Sequence, residues 1–327
     1  MKPVLSYDES KDFEAWRKEL KAKFFDLTGY ERIANNACPL HYEIESVEQK
    51  EGYTQTRFVF ESEKDCFVPC YLLIPDTGKD KYPLAITMQG HSTGFHNSVG
   101  IVKFEKDAEY QNTRGKFAIQ AVERGFAALA IEQRGLGERR PTQSNYARAN
   151  MCEYEAHIAL MLGRTIIGER MWDISRAIDL MKNFDKIDAD KILITGNSGG
   201  GTISYYSACA DERIKFSVPS CAFCTYPASI MDLFHCSCNF IPRAYEFFDM
   251  QDLSALIAPR KLAIFSGSLD AIFPLYGVEE GYETVKKVFE RAGAKDNCSL
   301  TVTPMAHYWC HDLIWDKIAE ETKKMNW

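Results

Sequence analysis

Short apolar runs alternate with amphipathic stretches along most of this chain. "YPLAITMQG", "GFAALAIEQ", "KILITGNS", "IKFSVPS", "RKLAIFSGS" and "CSLTVTPM" are rich in β-branched and apolar residues and bounded by Gly, Pro or Ser, the pattern of strands buried on both faces. Between several of them lie helical stretches such as "GKFAIQAVER" and "LYGVEEGYETVKKVFERAG". This alternation predicts an α/β fold with a mostly parallel central sheet and helices on both faces. Upstream, "TQTRFVFES" and "CFVPCYLLIP", joined by the polar "EKD", predict a hairpin at the sheet edge. Before it, Phe13, Trp16, Leu20, Phe24 and Leu27 recur at helical spacing, an amphipathic helix within an N-terminal extension over residues 1–50.

Two stretches exceed what a minimal sheet needs. Residues 134–154 read as a polar, arginine-rich loop leading into a helix, and 221–257 mixes aromatics, cysteines and prolines between two strands. In open α/β sheets ligands bind beyond the strands' C-terminal ends, so both insertions are expected near the active site. The aromatic one is a substrate cover, a subsidiary core or an oligomer contact. No repeat or Pro-rich linker divides the chain, and 1–327 is expected to be a single domain.

Composition narrows the function. With 46% hydrophobic residues among 327 the chain can bury a large core. A net charge of −7 argues against nucleic acid as a partner, because phosphate recognition uses clustered Lys and Arg. The N-terminus lacks the continuous apolar core of a signal peptide, and no run is long enough to span a bilayer, so a cytoplasmic protein with no membrane partner is expected. The 11 cysteines, an odd number in a long chain, read as buried free thiols. His235, Cys236 and Cys238 in "HCSC" are soft-metal ligands, but the spacing is too tight for the usual zinc pattern and no second ligand pair follows. No metal and no cofactor are expected.

The candidate chemistry centres on "GNSGG", residues 196–200. It fits G-x-S-x-G, which holds a serine hydroxyl out on a sharp strand-to-helix turn that only small neighbours allow. Neither a phosphate-loop lysine nor G-x-G-x-x-G accompanies it. Ser198 needs a base and an acid that orients the base. His307 follows the last predicted strand and Asp270 the one before, giving the chain order Ser, Asp, His, each at a strand's C-terminal end. His311 is the rival base, and Asp249 and Asp252 are rival acids. For the oxyanion, the amide of Gly199 is one donor; the other belongs to the "QGHSTGF" loop, at His91 or its neighbour Ser92.

With these residues in place, "FEAWRKEL", "GFAALAIEQRGLGER", "GERMWDISRAIDLM", "GNSGGG", "SGSLDAIFP" and "PMAHYW" resemble, in order and position, the acetyl xylan esterase and cephalosporin C deacetylase group of α/β-hydrolases. The resemblance covers most of the chain. It implies an α/β-hydrolase fold, a homo-oligomer, an Arg134 that braces the site through hydrogen bonds, and acetylated sugars or xylo-oligosaccharides as substrates. The chain departs from the group at Leu136 in place of Gln, Gly199 in place of Gln, and Tyr308 in place of Glu. Phe223, Tyr226 and Phe234 are available to stack on a sugar ring. Tyr308 is a pocket candidate, and Trp309 lines the pocket or packs beneath it. The expected activity is serine ester hydrolysis of a small-molecule ester. A peptide, thioester or lactone is the alternative bond, and a catalytically silent binding or scaffold protein the alternative of another class.

Overall fold

The computed structural model describes residues 2–113, 115–141 and 152–327. Nine strands form one sheet: β1 (Tyr42–Lys50), β2 (Tyr53–Glu63), β3 (Cys66–Pro75), β4 (Tyr82–Met88), β5 (Ala127–Ile131), β6 (Ile187–Asn197), β7 (Ile214–Ser220), β8 (Lys261–Gly267) and β9 (Cys298–Thr303), in the order β1-β2-β3-β5-β4-β6-β7-β8-β9. From β5 to β9 all neighbours are parallel, while β1, β2 and β3 join antiparallel. Every residue of β5 is buried and β4 exposes almost nothing, which is why these strands read as continuous apolar runs.

Helices cover both faces. On one side Trp16, Leu20 and Phe24 of helix Phe13–Thr28 share a core with Ile174 and Ile178 of Ile166–Met181, Tyr205 and Tyr206 of Gly199–Ala210, and Val285 and Phe289 of Leu275–Arg291. On the other, Phe117 and Ala121 of helix Phe117–Glu123 pack with Ile314, Trp315 and Ile318 of His311–Lys324. The N-terminal helix starts where Asp12 accepts the Ala15 amide, an N-cap that satisfies one of the first-turn donors. No helix among the described residues is long and apolar enough to cross a membrane.

One expectation needs correction here. The hairpin is not at the edge, because β1 pairs outside β2; the extension over residues 1–50 therefore carries a sheet strand. All but one of the β1 residues are exposed, so "YEIESVEQK" has no apolar side to betray it, and its Glu43, Glu45 and Glu48 charge the open edge as edge strands require. For 221–257 the structure favours core packing among the alternatives, in the main core and not a subsidiary one. Phe223, Tyr226, Ile230, Phe248 and Leu253 belong to the main core, so much of this insertion is packed interior. Of the 134–154 insertion, residues 142–151 lie outside the described ones.

Candidate active site

The C-terminal ends of the parallel strands meet on one rim, and β6 delivers Ser198 there. Ser198 stands at φ 57°, ψ −127° before helix Gly199–Ala210, a backbone conformation that costs an ordinary residue of order 1–3 kcal/mol and persists only where its surroundings enforce it. The enforcement is visible in the neighbours. A Cβ on Gly196 would lie 2.2 Å from the Met88 carbonyl oxygen, and one on Gly200 2.0 Å from it, so the turn presses on the end of β4 too closely for any side chain. The Ser198 amide in turn donates to the Ser220 carbonyl at 2.9 Å.

The expected acid and base are brought together. His307 Nδ1 lies 2.8 Å from Asp270 Oδ2, and the other carboxylate oxygen accepts the amides of Ile272 at 2.8 Å and Phe273 at 3.1 Å. Burial alone would raise the Asp270 carboxyl, but these hydrogen bonds and the histidine outweigh it and hold the group below the usual carboxylate range. The His307 ring stacks on Phe273 at 6.0 Å between centroids. Its Nε2 is buried and has no hydrogen-bond partner among the described residues. Cys221, at the end of β7, links the parts: its thiol faces the Tyr308 carbonyl at 3.5 Å, and Cys221, Asp270 and His307 present donor atoms within 4.8 Å of one another. Burial and then the Asp270 charge push this thiol up to about 12, so it stays protonated at neutral pH.

The rivals are spent elsewhere. Asp249 accepts the amides of Tyr226 and Met250, and Asp252 those of Asp249 and Tyr7; both carboxylates cap a short helix. His311 is exposed and pairs with Asp312 at 3.2 Å.

The "QGHSTGF" loop lies against the elbow. A Cβ on Gly90 would come within 3.0 Å of Ser198 Cβ and 3.4 Å of the Gly199 nitrogen, and one on Gly199 within 3.4 Å of His91 Nδ1. His91 therefore sits beside the turn, while Ser92 is engaged with the backbone of Gly94. Arg134 is buried in an acidic nest, 2.7 Å from Glu63, 2.8 Å from Asp173 and 3.3 Å from Glu169, and its carbonyl accepts from Arg170. It braces the loop after β5; among the described residues it makes no hydrogen bond to Ser198, Asp270 or His307.

The pocket candidates divide. Phe223 and Tyr226 are 1% and 4% exposed, and correct the expectation that they stack on a substrate. Phe223 packs on the Tyr205 ring at 5.6 Å and the Tyr226 hydroxyl bonds that of Tyr206 at 2.9 Å. Trp309 is fully buried, edge-on to Phe117 at 4.7 Å with its indole N–H on Gln120, so it packs beneath the site. Phe234 is 92% exposed, and Tyr308 is half-buried beside His307. Phe223→Ala should cost about 3–5 kcal/mol of stability, as loss of a buried ring does, and leave KM unchanged; urea unfolding beside steady-state kinetics checks both.

A buried acid stands behind the "QGHSTGF" loop. Glu132, just past β5, accepts the amides of Phe95 and Glu138 and the side chain of Gln89. Burial outweighs these donors and raises its carboxyl to about 7. A group raised in the folded state adds stability that is full below its ordinary value near 4.5 and is lost as pH climbs through 7. Gln89 Oε1 has no partner, so the amide turned end for end would accept a Glu132 proton. Glu132→Gln, which can make that same bond, should therefore lose less stability than the wild type between pH 5 and 8, by up to about 3 kcal/mol. Thermal melts across that range measure the difference.

A serine on a tight glycine turn after β6, with an aspartate past β8 bonded to a histidine past β9, is the arrangement of an α/β-hydrolase. The family model described as "Abhydrolase family" matches residues 1–208, and the chain belongs to that family. It is 24% identical over 296 residues, 89% of its length and 94% of the relative's, to "Putative hydrolase YtaP" of Bacillus subtilis (strain 168). By structure it resembles a "putative acetyl xylan esterase" of Bacteroides fragilis NCTC 9343 at TM-score 0.79 and 18% identity, over 98% of this chain and 91% of that one. It also resembles the glucuronoyl esterase of Solibacter usitatus at TM-score 0.67 and 16% identity, over 99% and 97%. At such identity the structural likenesses establish the fold.

Proposed function

We propose that the protein is a serine esterase that hydrolyses small carboxylic esters, with acetylated sugars or short xylo-oligosaccharides as its substrate class. The observation that carries this reading is the His307–Asp270 pair at 2.8 Å, on the same rim as a serine held at φ 57°. Ser198 Oγ attacks the ester carbonyl while His307 Nε2 takes its proton; the same proton then goes to the departing alkoxide. The acyl-enzyme is cleared when His307 takes a proton from water, whose oxygen attacks the acyl carbon; the bond to Ser198 Oγ breaks, His307 returns the proton to that oxygen, and the carboxylic acid leaves. Asp270 keeps the Nδ1 proton in place and stabilises the imidazolium. The amides of Gly199 and His91 receive the oxyanion. Gly199, with no side chain, leaves room beside it, and Tyr308 borders the histidine.

The sugar is supported by the named activities of the acetyl xylan esterase-like and glucuronoyl esterase structures that share this fold. The test is turnover of a chain-length series of nitrophenyl esters, followed by acetylated xylo-oligosaccharides and a methyl glucuronate ester, with fluorophosphonate labelling in parallel. Preference for acetate and release of acetate from the oligosaccharide is the expected result. Turnover of the glucuronate alone moves the ester to the sugar's own carboxyl, and failure of both turnover and labelling by folded protein overturns the reading.

A further inference from the structure

Three cysteines and a histidine from three separate parts of the chain converge beside the elbow. His91 Nε2 lies 3.2 Å from Cys152 Sγ and 3.3 Å from Cys238 Sγ, Cys152 Sγ lies 3.2 Å from Cys236 Sγ, and all four donor atoms fall within 4.8 Å of one another. The thiols are free, and their separations are far beyond an S–S bond of about 2.05 Å. Tetrahedral zinc with Zn–S near 2.3 Å and Zn–N near 2.0 Å sets its ligand atoms about 3.5–3.8 Å apart, a spacing within the range this cluster spans. Leu136, Ala156 and Ile166 share an apolar cluster with Cys152 and Cys238, while His91 and Cys236 are half-buried; a shell of this kind controls solvent access to a metal site.

We propose that His91, Cys152, Cys236 and Cys238 form a structural Cys3His zinc site that clamps the oxyanion loop to helix Cys152–Met161 and to the 221–257 insertion. Four protein ligands fill a tetrahedral metal and leave no open position, so the ion positions residues and does not activate water. On binding, each of the three thiols releases its proton to solvent as its sulfur bonds the metal. The one net negative charge that results faces Arg170, whose charge is felt at both Cys152 and Cys238. Ligation through Nε2 leaves the proton on His91 Nδ1, the atom that faces Gly199. His235, the histidine of "HCSC", is outside the set: its Nε2 bonds the Ser229 hydroxyl at 3.0 Å.

The site stands on this geometry alone; its effect on turnover rests on the esterase reading. The full chain purified from zinc-supplemented medium is expected to carry about one zinc per chain by elemental mass spectrometry. Cys152→Ser and Cys238→Ser should lower this at least tenfold, while His235→Ala keeps it. In case a serine variant fails to fold, the wild type stripped by a chelator is titrated with Co²⁺, which should develop the intense visible bands of a tetrahedral cobalt–thiolate. A Cys152–Cys236 disulfide in the purified protein, wild type with under about a tenth of an equivalent of metal and no such bands, or equal metal in wild type and Cys238→Ser would overturn the site. Zinc-loaded protein without hydrolysis would leave the site intact and count against the esterase reading only; the reverse result would separate them the other way.

Discussion

Ser198→Ala is expected to lower kcat for nitrophenyl acetate about a thousandfold or more, roughly 4 kcal/mol of transition-state stabilisation, and to abolish fluorophosphonate labelling. The hydroxyl is the one atom removed, while the turn is held from outside by Gly196 and Gly200 against Met88 and by the Ser198 amide on Ser220. The fold should survive, and KM should change little, because the substitution leaves the proposed oxyanion amides of Gly199 and His91 untouched. Residual turnover above the uncatalysed rate would measure what those donors supply without a nucleophile. Equal rates in wild type and variant would remove Ser198 from the mechanism.

Asp270→Asn is the second large effect, a loss of about a thousandfold to ten-thousandfold in kcat. Oδ1 of the residue is claimed by the amides of Ile272 and Phe273, so an asparagine must keep its carbonyl there and turn its NH2 toward His307 Nδ1. That ring nitrogen would then have to accept, its proton would sit on Nε2, and the base would be lost. The substitution is nearly isosteric, so unfolding should shift much less than activity; matched melting curves and kcat values test this. The sign of the pH dependence follows from the depressed Asp270 carboxyl: its support of the fold is present above the ordinary carboxylate value near 3.8 and is lost as pH falls through the lower value of the folded state. An Asp270→Asn enzyme as active as the wild type would mean that another group orients His307.

The parallel sheet was legible because its strands are buried on both faces and announce themselves as apolar runs, and the closeness of Asp270 and His307 because each follows such a run, Asp270 after Gly267 and Ser268 and His307 after Pro304. β1 was not legible, since an exposed charged edge strand differs from a loop only in its hydrogen bonds to β2. The aromatics of 221–257 were visible as residues but not as core: whether Phe223 faces a substrate or Tyr205 depends on what lies across from it. The same holds for Glu132, whose burial under the oxyanion loop no neighbouring residue in the chain foretells.

Local pattern by itself determined the parallel α/β architecture, the tight turn at Ser198 and the places of Asp270 and His307 after the last two strands, because strand burial and turn chemistry are written in residues a few positions apart. Only the tertiary structure decided which soft donors meet. Cys236 and Cys238 are two residues apart, but their partners Cys152 and His91 lie 84 and 147 positions from Cys236 and Cys238 respectively. Side chains that distant become neighbours through the packing of the oxyanion loop, helix Cys152–Met161 and the insertion, and no spacing rule along the chain records that packing.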